Sequence, residues 1–168
     1  SEVIDISTDF TLFDDQISRH SSNEMIKLHY GGQLGSLHDA YSIVSLVKSI
    51  YSSDISNNVE FDFTISGSKA DYLRKALVEY PIKILPTMKS HEWRNYIKNF
   101  DIGIVSLSPG GATVCLPSKT YAMMAGGLAI LAITPEWSDL ARLITNNQAG
   151  WVFDNSVNEN FSKTCSKN

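Results

Sequence analysis

The sequence predicts an α/β fold, a doubly wound, mostly parallel sheet of about six strands with helices on both faces. Short apolar strands alternate with amphipathic helices along residues 25–153, a pattern typical of a parallel sheet covered on both sides. Glycines follow several of these strands, as tight strand-to-helix turns require. With 168 residues, the chain is long enough to form one domain with its own hydrophobic core.

The first elements follow from apolar periodicity. The apolar-rich strand Met25–Tyr30 ends at two glycines, and the helix His38–Ser52 carries one apolar stripe. Apolar and polar residues alternate in the strand Val59–Ile65, so we expect its polar face to be less buried. The helix Ala70–Tyr80 stops before a proline, and Ile82–Leu85 forms a short third strand.

The alternation continues in the second half of the chain. The helix His91–Phe100 leads into the strand Asp101–Leu107, which is followed by a Pro-Gly-Gly loop at 108–111. A helix is predicted at Ser118–Ala125, with Pro117 and Ser118 suited to its start.

The last elements complete the predicted sheet. The wholly apolar strand Leu128–Ile133 is typical of a central strand. A helix, Glu136–Thr145, and a last strand, Gly150–Phe153, follow. We expect the three tryptophans to pack in the core: Trp93, Trp137 and Trp151. We interpret residues 1–24 as a connecting arm, 25–154 as the domain and 155–168 as a polar tail.

Composition excludes several classes of function. The formal net charge is −4 and no run of Lys or Arg exceeds two residues, which disfavours nucleic acid as a partner. The longest apolar stretch, 123–133, is too short for a transmembrane segment. Cys115 and Cys165 have no metal or disulfide spacing, and we predict no metal site. The N-terminus lacks signal-peptide features, so we expect a cytoplasmic location; because the first residue is serine, we expect a piece of a longer protein.

Ligands of open parallel sheets bind outside the carboxyl ends of the strands. Three loops at these ends are candidates for a binding site: residues 31–36, the segment 108–119 and residues 85–89. Glycines at 31–36 could cradle an anion or simply form a tight turn, and spacing alone does not separate the two. Lys119 falls in the first turn of a helix, where a cation is unfavourable unless an anion lies beside it. The loop 85–89 has an apolar edge suited to a flat base. Among the histidines, only His38 is placed near such a site.

The residues in these loops resemble the carboxyl-terminal domain of GT-B glycosyltransferases of a family-4-like branch that builds surface polysaccharides. The resemblance covers about residues 25–153. It rests on the Gly-Gly-Gln-Leu-Gly-Ser turn at 31–36, the strand 101–107 and, most specifically, a Pro-Ser-Lys block at 117–119 followed by an apolar strand.

This resemblance implies a Rossmann-like half of a GT-B fold that binds a nucleoside-diphosphate sugar, with a UDP-sugar as the favoured donor. Transfer in this branch retains anomeric configuration and does not strictly need a metal or another cofactor. The implied diphosphate-binding residues are Gly31, Gly32, Gln33, Gly35, Gly111, Ser118 and Lys119. The implied base- and ribose-binding residues are Leu85, Pro86, Tyr121 and Ala122, with His38 as a further candidate.

The same resemblance implies partners that lie outside this chain. The amino-terminal GT-B domain would hold the carbohydrate or lipid-linked acceptor and most of the catalytic residues, which therefore stay unknown. We expect the isolated chain to be inactive, and the full protein could sit at the inner membrane face to meet its acceptor.

The sequence departs from the family pattern at several places. Gln33 and His38 stand where related enzymes often have Arg and Lys, Ala122 where many have Glu, and Ala129 where many have Pro. Lys119 is then the sole clear cation expected at the diphosphate. Two other classes of function stay open: a non-catalytic Rossmann-like regulatory or binding module, and a GT-B sugar-nucleotide epimerase.

Overall fold

A computed structural model describes residues 24–156 and confirms the predicted parallel sheet. Its strands are β1 (Ile26–Gln33), β2 (Val59–Ser66), β3 (Lys83–Leu85), β4 (Ile102–Ser106), β5 (Ala129–Ile133) and β6 (Gly150–Phe153). They lie in the order β3-β2-β1-β4-β5-β6, and each neighbouring pair is parallel. Residues 1–23 and 157–168, which include most of the predicted arm and tail and Cys165, lie outside the described residues.

Helices connect these strands and cover the sheet. They are α1 (Ala40–Tyr51), α2 (Ala70–Ala76), α3 (Ser90–Tyr96), α4 (Pro109–Ala112), α5 (Ser118–Ala125) and α6 (Asp139–Asn146), with short 3-10 turns at Ser56–Asn58 and Ile97–Asn99. The predicted loop at 108–111 was wrong, because α4 forms there. The Ser108 hydroxyl accepts the Gly111 N–H at 3.0 Å, and Pro109 suits the first helical position.

The core is divided between the two faces of the sheet. Leu131 and Ile133 of β5 join one cluster with α1 and α2, whereas Ile130 and Ala132 join a second with α3, α5 and α6. This period of two shows that both faces of β5 are covered, as its wholly apolar sequence predicts. The strand lies inside the sheet between β4 and β6.

Burial corrects two predictions. The polar face of β2 is not less buried, since Asp62 and Thr64 are almost wholly inaccessible to solvent. Residues of α3 cover this face and hydrogen-bond to Asp62, which satisfies its carboxylate. Trp93 is buried as predicted, but Trp137 is half exposed, because it precedes α6 instead of lying on its apolar stripe.

The end of β1 extends further than predicted. Gly31, Gly32 and Gln33 belong to the strand, where they lie opposite Thr64, Ile65 and Ser66 of β2. The glycine segment therefore enters the site as rigid strand and only afterwards becomes a turn. Since the strand order reverses between β1 and β4, this end of β1 lies at the topological switch point of the sheet.

Asp39 ties the loop after β1 to the centre of the sheet. Its carboxylate caps α1 by accepting the Ser42 N–H at 3.0 Å, and its backbone N–H donates to the Ser106 hydroxyl at 2.9 Å. The side-chain amide of Asn155 also donates to this carboxylate, at 2.8 Å. Asn155 is buried, so the folded unit extends one residue past the predicted boundary of the tail.

We expect Asp39→Ala to lower the free energy of unfolding by about 2 kcal/mol, since it removes a helix cap and a partner of a buried amide. Denaturant unfolding of the two proteins measures the difference. Asp71→Ala is the matched control, because Asp71 is also acidic and near a helix start but is exposed. Equal effects of the two substitutions would contradict the role given to Asp39.

Candidate functional site

The loops after β1, β2 and β4 form one continuous edge at the carboxyl end of the sheet. The Leu34 N–H donates to the Ser66 carbonyl at 2.7 Å, and the Ser108 N–H donates to the Leu37 carbonyl at 2.9 Å. Gly111 is pressed against the same Leu37 carbonyl, and a side chain there would overlap it. The loops after β1, β2 and β4, which are far apart in the sequence, are thus adjacent in the structure.

Lys119 reaches from the start of α5 to the end of β1. A Cβ placed on Gly32 would lie 2.6 Å from the Lys119 Nζ, and Gly32 has a φ of +126°, which disfavours other residues. The positive φ favours glycine at this position, and a side chain there would displace the end of Lys119. It places a cation directly beside the strand end that the sequence predicts as part of the diphosphate site.

Within residues 24–156, Lys119 forms no salt bridge. Its Nζ lies over the Trp93 ring, 4.9 Å from the centroid, a cation–π contact. Burial lowers the pKa of Lys119 below its usual value, because a half-buried ammonium loses part of its hydration. The first turn of α5 has no side-chain cap, so its backbone N–H groups and Lys119 together favour an anion.

His38 lies on the same edge, between two lysines. The Gly35 N–H donates to its Nδ1 at 3.1 Å, so in the neutral ring Nε2 carries the proton and can donate. Burial lowers the pKa of His38, and the nearby charges of Lys69 and Lys119 lower it further. The neutral ring, which can donate from Nε2, is therefore favoured near pH 7.

Lys69 is a second cation that the sequence analysis missed. It precedes α2, and its Nζ donates to the His38 carbonyl at 2.6 Å, so the ammonium lies over the loop after β1. Gly67, with a φ of +107°, brings this segment against the Leu34 backbone. Lys69 belongs to no motif. A Gly-Ser-Lys sequence directly after a strand was the only signal that could have pointed to it.

The other predicted site residues fall into two groups. Gly31, Gln33, Gly35, Gly111 and Ser118 lie on this edge, at the end of β1, in the joined loops or at the start of α5. Leu85 ends β3 and Pro86 follows it, two strands away from β1, or about 10 Å across the sheet. Tyr121 and Ala122 lie one turn into α5, with Tyr121 half exposed.

Within residues 24–156, no group of three or more His, Cys, Asp or Glu side chains is arranged to hold a metal ion. Over the same residues, none of the helices has the length and apolar character needed to cross a membrane.

Comparison with solved structures shows which known folds the chain is similar to. It superimposes on an α,α-trehalose-phosphate synthase (UDP-forming) from Burkholderia vietnamiensis with a TM-score of 0.62 at 8% identity, covering 89% of this chain and 38% of that one. An E. coli trehalose-6-phosphate structure bound with UDP-2-fluoro glucose gives 0.58 at 7% identity, covering 88% and 36%. WaaG, a glycosyltransferase involved in lipopolysaccharide biosynthesis, gives 0.56 at 11% identity, covering 92% and 39%.

These neighbours confirm the fold class, a Rossmann-like α/β domain that matches one half of GT-B glycosyltransferase structures. The chain spans less than two fifths of the length of each of them. Identities this low show the fold alone and assign no substrate. Neither a protein-family model nor a curated protein sequence matches the chain.

We expect Gly32→Ala to weaken binding of inorganic pyrophosphate about tenfold, because the added methyl group displaces the Lys119 ammonium and strains a positive-φ residue. Isothermal titration calorimetry measures the affinity. Gly35→Ala is the matched control, since a Cβ there meets nothing within 4 Å. If both variants bind pyrophosphate like the unaltered protein, Gly32 does not shape an anion site.

Proposed function

We propose that this chain is the donor-binding half of a retaining glycosyltransferase, which moves a sugar from a nucleoside-diphosphate sugar to a polysaccharide or glycolipid acceptor. The observation that carries the proposal is the approach of Lys119, in the first turn of an uncapped helix, to Gly32 at the switch point of the sheet. A fold shared with glycosyltransferases supports it.

The proposed chemistry of this half is stabilisation of the departing diphosphate. Negative charge develops on the diphosphate as the bond between its oxygen and the anomeric carbon of the sugar breaks, while the sugar passes to an acceptor oxygen. Lys119, Lys69 and the first N–H groups of α5 are fixed before the reaction, so they stabilise that charge without reorganisation. His38 adds a neutral N–H donor, and a bound anion would raise its pKa so that the ring becomes charged at a higher pH than in the free protein.

The nucleoside would extend from the diphosphate toward the end of β3. Leu85 and Pro86 lie about 10 Å from β1 across the sheet, a separation suited to the base of a donor whose diphosphate lies beside Gly32. Ala122 and Tyr121, one turn beyond Lys119, would border the ribose. A UDP-sugar is the favoured donor, and two of the structural neighbours carry UDP in their descriptions.

A second domain of the parent protein would supply the acceptor site and the remaining catalytic residues. The chain covers only 36–39% of the length of the three neighbours described above, which leaves room for such a domain. We expect nucleotide binding by this half alone, and sugar transfer only when the partner domain is present.

The two alternatives make different demands. A receiver-type regulatory module needs clustered acidic residues after the first strand and an acceptor Asp at a strand end, where this chain has Tyr-Gly-Gly at 30–32 and Ile-Ser-Gly at 65–67. An epimerase needs a general acid and a general base in the cleft, and at this edge of the described residues His38 is a weak candidate for either role, beside the two lysines. The site is richer in cations than in general bases, which favours binding and stabilising a diphosphate.

We expect Lys119→Ala to weaken binding of a nucleoside diphosphate by about ten- to a hundredfold, since it removes a charge-assisted contact. Lys69→Ala should also weaken it, whereas Lys89→Ala, an exposed lysine before α3, should have little effect. A thermal-shift panel with UDP, GDP, ADP, CMP and pyrophosphate at millimolar concentration selects the ligand. Saturation at 100 times Kd stabilises the fold by about 2.7 kcal/mol.

Selective stabilisation by one nucleoside diphosphate supports the donor-site proposal and names the base. Equal losses in Lys119→Ala and Lys89→Ala would remove the diphosphate role given to Lys119. If no ligand shifts the melting temperature, either for this chain or for the full-length parent, the donor-site proposal is wrong.

His38 gives the site a pH dependence of known sign. Its pKa is lowered in the free protein and rises when an anion binds, so the extra affinity is gained as pH falls through the pKa of the complex. We expect the ratio of nucleoside-diphosphate affinities, unaltered protein over His38→Gln, to rise between about pH 7 and about pH 5. Taking the ratio cancels titration of the ligand itself. Parallel pH profiles for the two proteins would show that His38 does not face the anion.

A further inference from the structure

A chain of buried hydrogen bonds runs behind the end of β1, on the face of the sheet covered by α3. His29 of β1 is wholly buried and lies directly opposite Asp62 of β2. Its Nδ1 is 2.8 Å from the Asp62 Oδ1, and its Nε2 is 2.9 Å from the Trp93 Nε1. The Tyr96 hydroxyl donates to the other Asp62 oxygen at 2.6 Å.

The donor and acceptor atoms of these side chains determine the direction of each of the buried hydrogen bonds. An indole N–H can only donate, so the His29 Nε2 must accept it. The proton of the neutral ring then resides on Nδ1, which donates to Asp62. The Phe100 ring stacks on His29 with centroids 4.8 Å apart, which limits movement of the imidazole. The Trp93 indole is thereby held in a single orientation.

The Trp93 indole contacts both Lys119 and the end of β1. Its face lies under the Lys119 ammonium, while its Nε1 edge fills the space where a Gly31 side chain would be. Lys119 in turn fills the space beside Gly32. The position of the cation is therefore set by a ring whose own position is set by His29 and Asp62.

We propose that Trp93, oriented by the Asp62–His29 pair, is a positioning residue that holds the Lys119 ammonium at the end of β1 for the diphosphate. The proposal rests on the proposed donor site for the identity of the ligand. We call the hydrogen-bonded group Asp62, His29 and Trp93 the relay. It acts through Lys119 and does not contact the diphosphate, since His29 and Asp62 are buried.

Packing alone would not require this arrangement. An apolar ring in the place of Trp93 could fill the same space in the second core cluster without a hydrogen bond. The bond to His29 instead restricts rotation of the indole, and so restricts where a half-buried lysine can rest its charge. A cation held in this way loses little conformational freedom when an anion arrives.

The test compares substitutions that remove or keep the acceptor for Trp93. His29→Leu removes it, His29→Gln retains a side-chain oxygen that can accept the indole N–H, and Trp93→Leu removes the aromatic face. Ile97→Ala is the control for lost packing, because Ile97 is buried in the same cluster, just beyond α3. Nuclear magnetic resonance of the 168-residue chain reports the upfield ring-current shift of the Lys119 methylene protons and the tautomer of His29. Calorimetry measures pyrophosphate affinity.

In the unaltered protein we expect the Nδ1–H tautomer of His29 and upfield-shifted Lys119 protons. His29→Leu should diminish that shift, His29→Gln should keep most of it, and Ile97→Ala should leave it unchanged. We expect Trp93→Leu and His29→Leu to weaken pyrophosphate binding by about five- to tenfold. Ile97→Ala should bind pyrophosphate as tightly as the unaltered protein does, even if its melting temperature falls as far as that of Trp93→Leu or His29→Leu.

The Nε2–H tautomer of His29 in the unaltered protein would overturn the proposal, and this readout needs no variant to fold. A ring-current shift that survives His29→Leu would overturn it as well, as would equal pyrophosphate affinities in Trp93→Leu and Ile97→Ala. Absence of pyrophosphate binding in the unaltered protein and in its parent would count against the donor site instead. The tautomer and the ring-current shift would then still decide whether the relay positions Lys119.

Discussion

The absence of side chains on two consecutive residues at the end of β1 is the constraint on which the site depends. At Gly31 the vacant side admits the edge of Trp93 together with His29, and at Gly32 it admits the Lys119 side chain. A side chain at Gly31 would overlap the buried Trp93 indole, and a side chain at Gly32 would displace the end of the Lys119 side chain. The glycines thus shape the site by what they let approach, in addition to any contact of their own with a ligand.

This constraint concentrates positive charge in an acidic protein. The chain carries a net charge of −4, yet two lysines and a histidine converge at the switch point. Lys119 is partly desolvated, so its charge is less screened than that of an exposed lysine and interacts more strongly with an anion. The cost of that desolvation is borne by the folded protein before any ligand binds, which is the condition for preorganised electrostatics.

The parallel sheet could be predicted because it depends on local patterns, and the same patterns select the loops of the candidate site. Apolar periodicity identified the six strands, and the rule on strand ends selected the loops where Gly32 and Lys119 lie. The buried relay could not be predicted in this way. His29 and Asp62 meet only because β1 and β2 pair in a particular register, and periodicity carries no information on register. The position of Lys69 could not be predicted for a similar reason, because its contact with the His38 carbonyl follows from the turn at Gly67.

The relay is hard to explain by stability alone. Moving a carboxylate, an imidazole and an indole N–H out of water costs free energy that their mutual hydrogen bonds offset only in part, and well-packed apolar residues in such places are often as stable or more so. What the polar groups add is direction, because each donor has one acceptor and the indole therefore has one orientation. A fixed orientation of the indole matters where the indole must hold a neighbouring group in place, and that neighbour is the Lys119 ammonium. The position of these costly groups, directly behind the glycines and beneath the cation, therefore favours a role in the site over a role in the core.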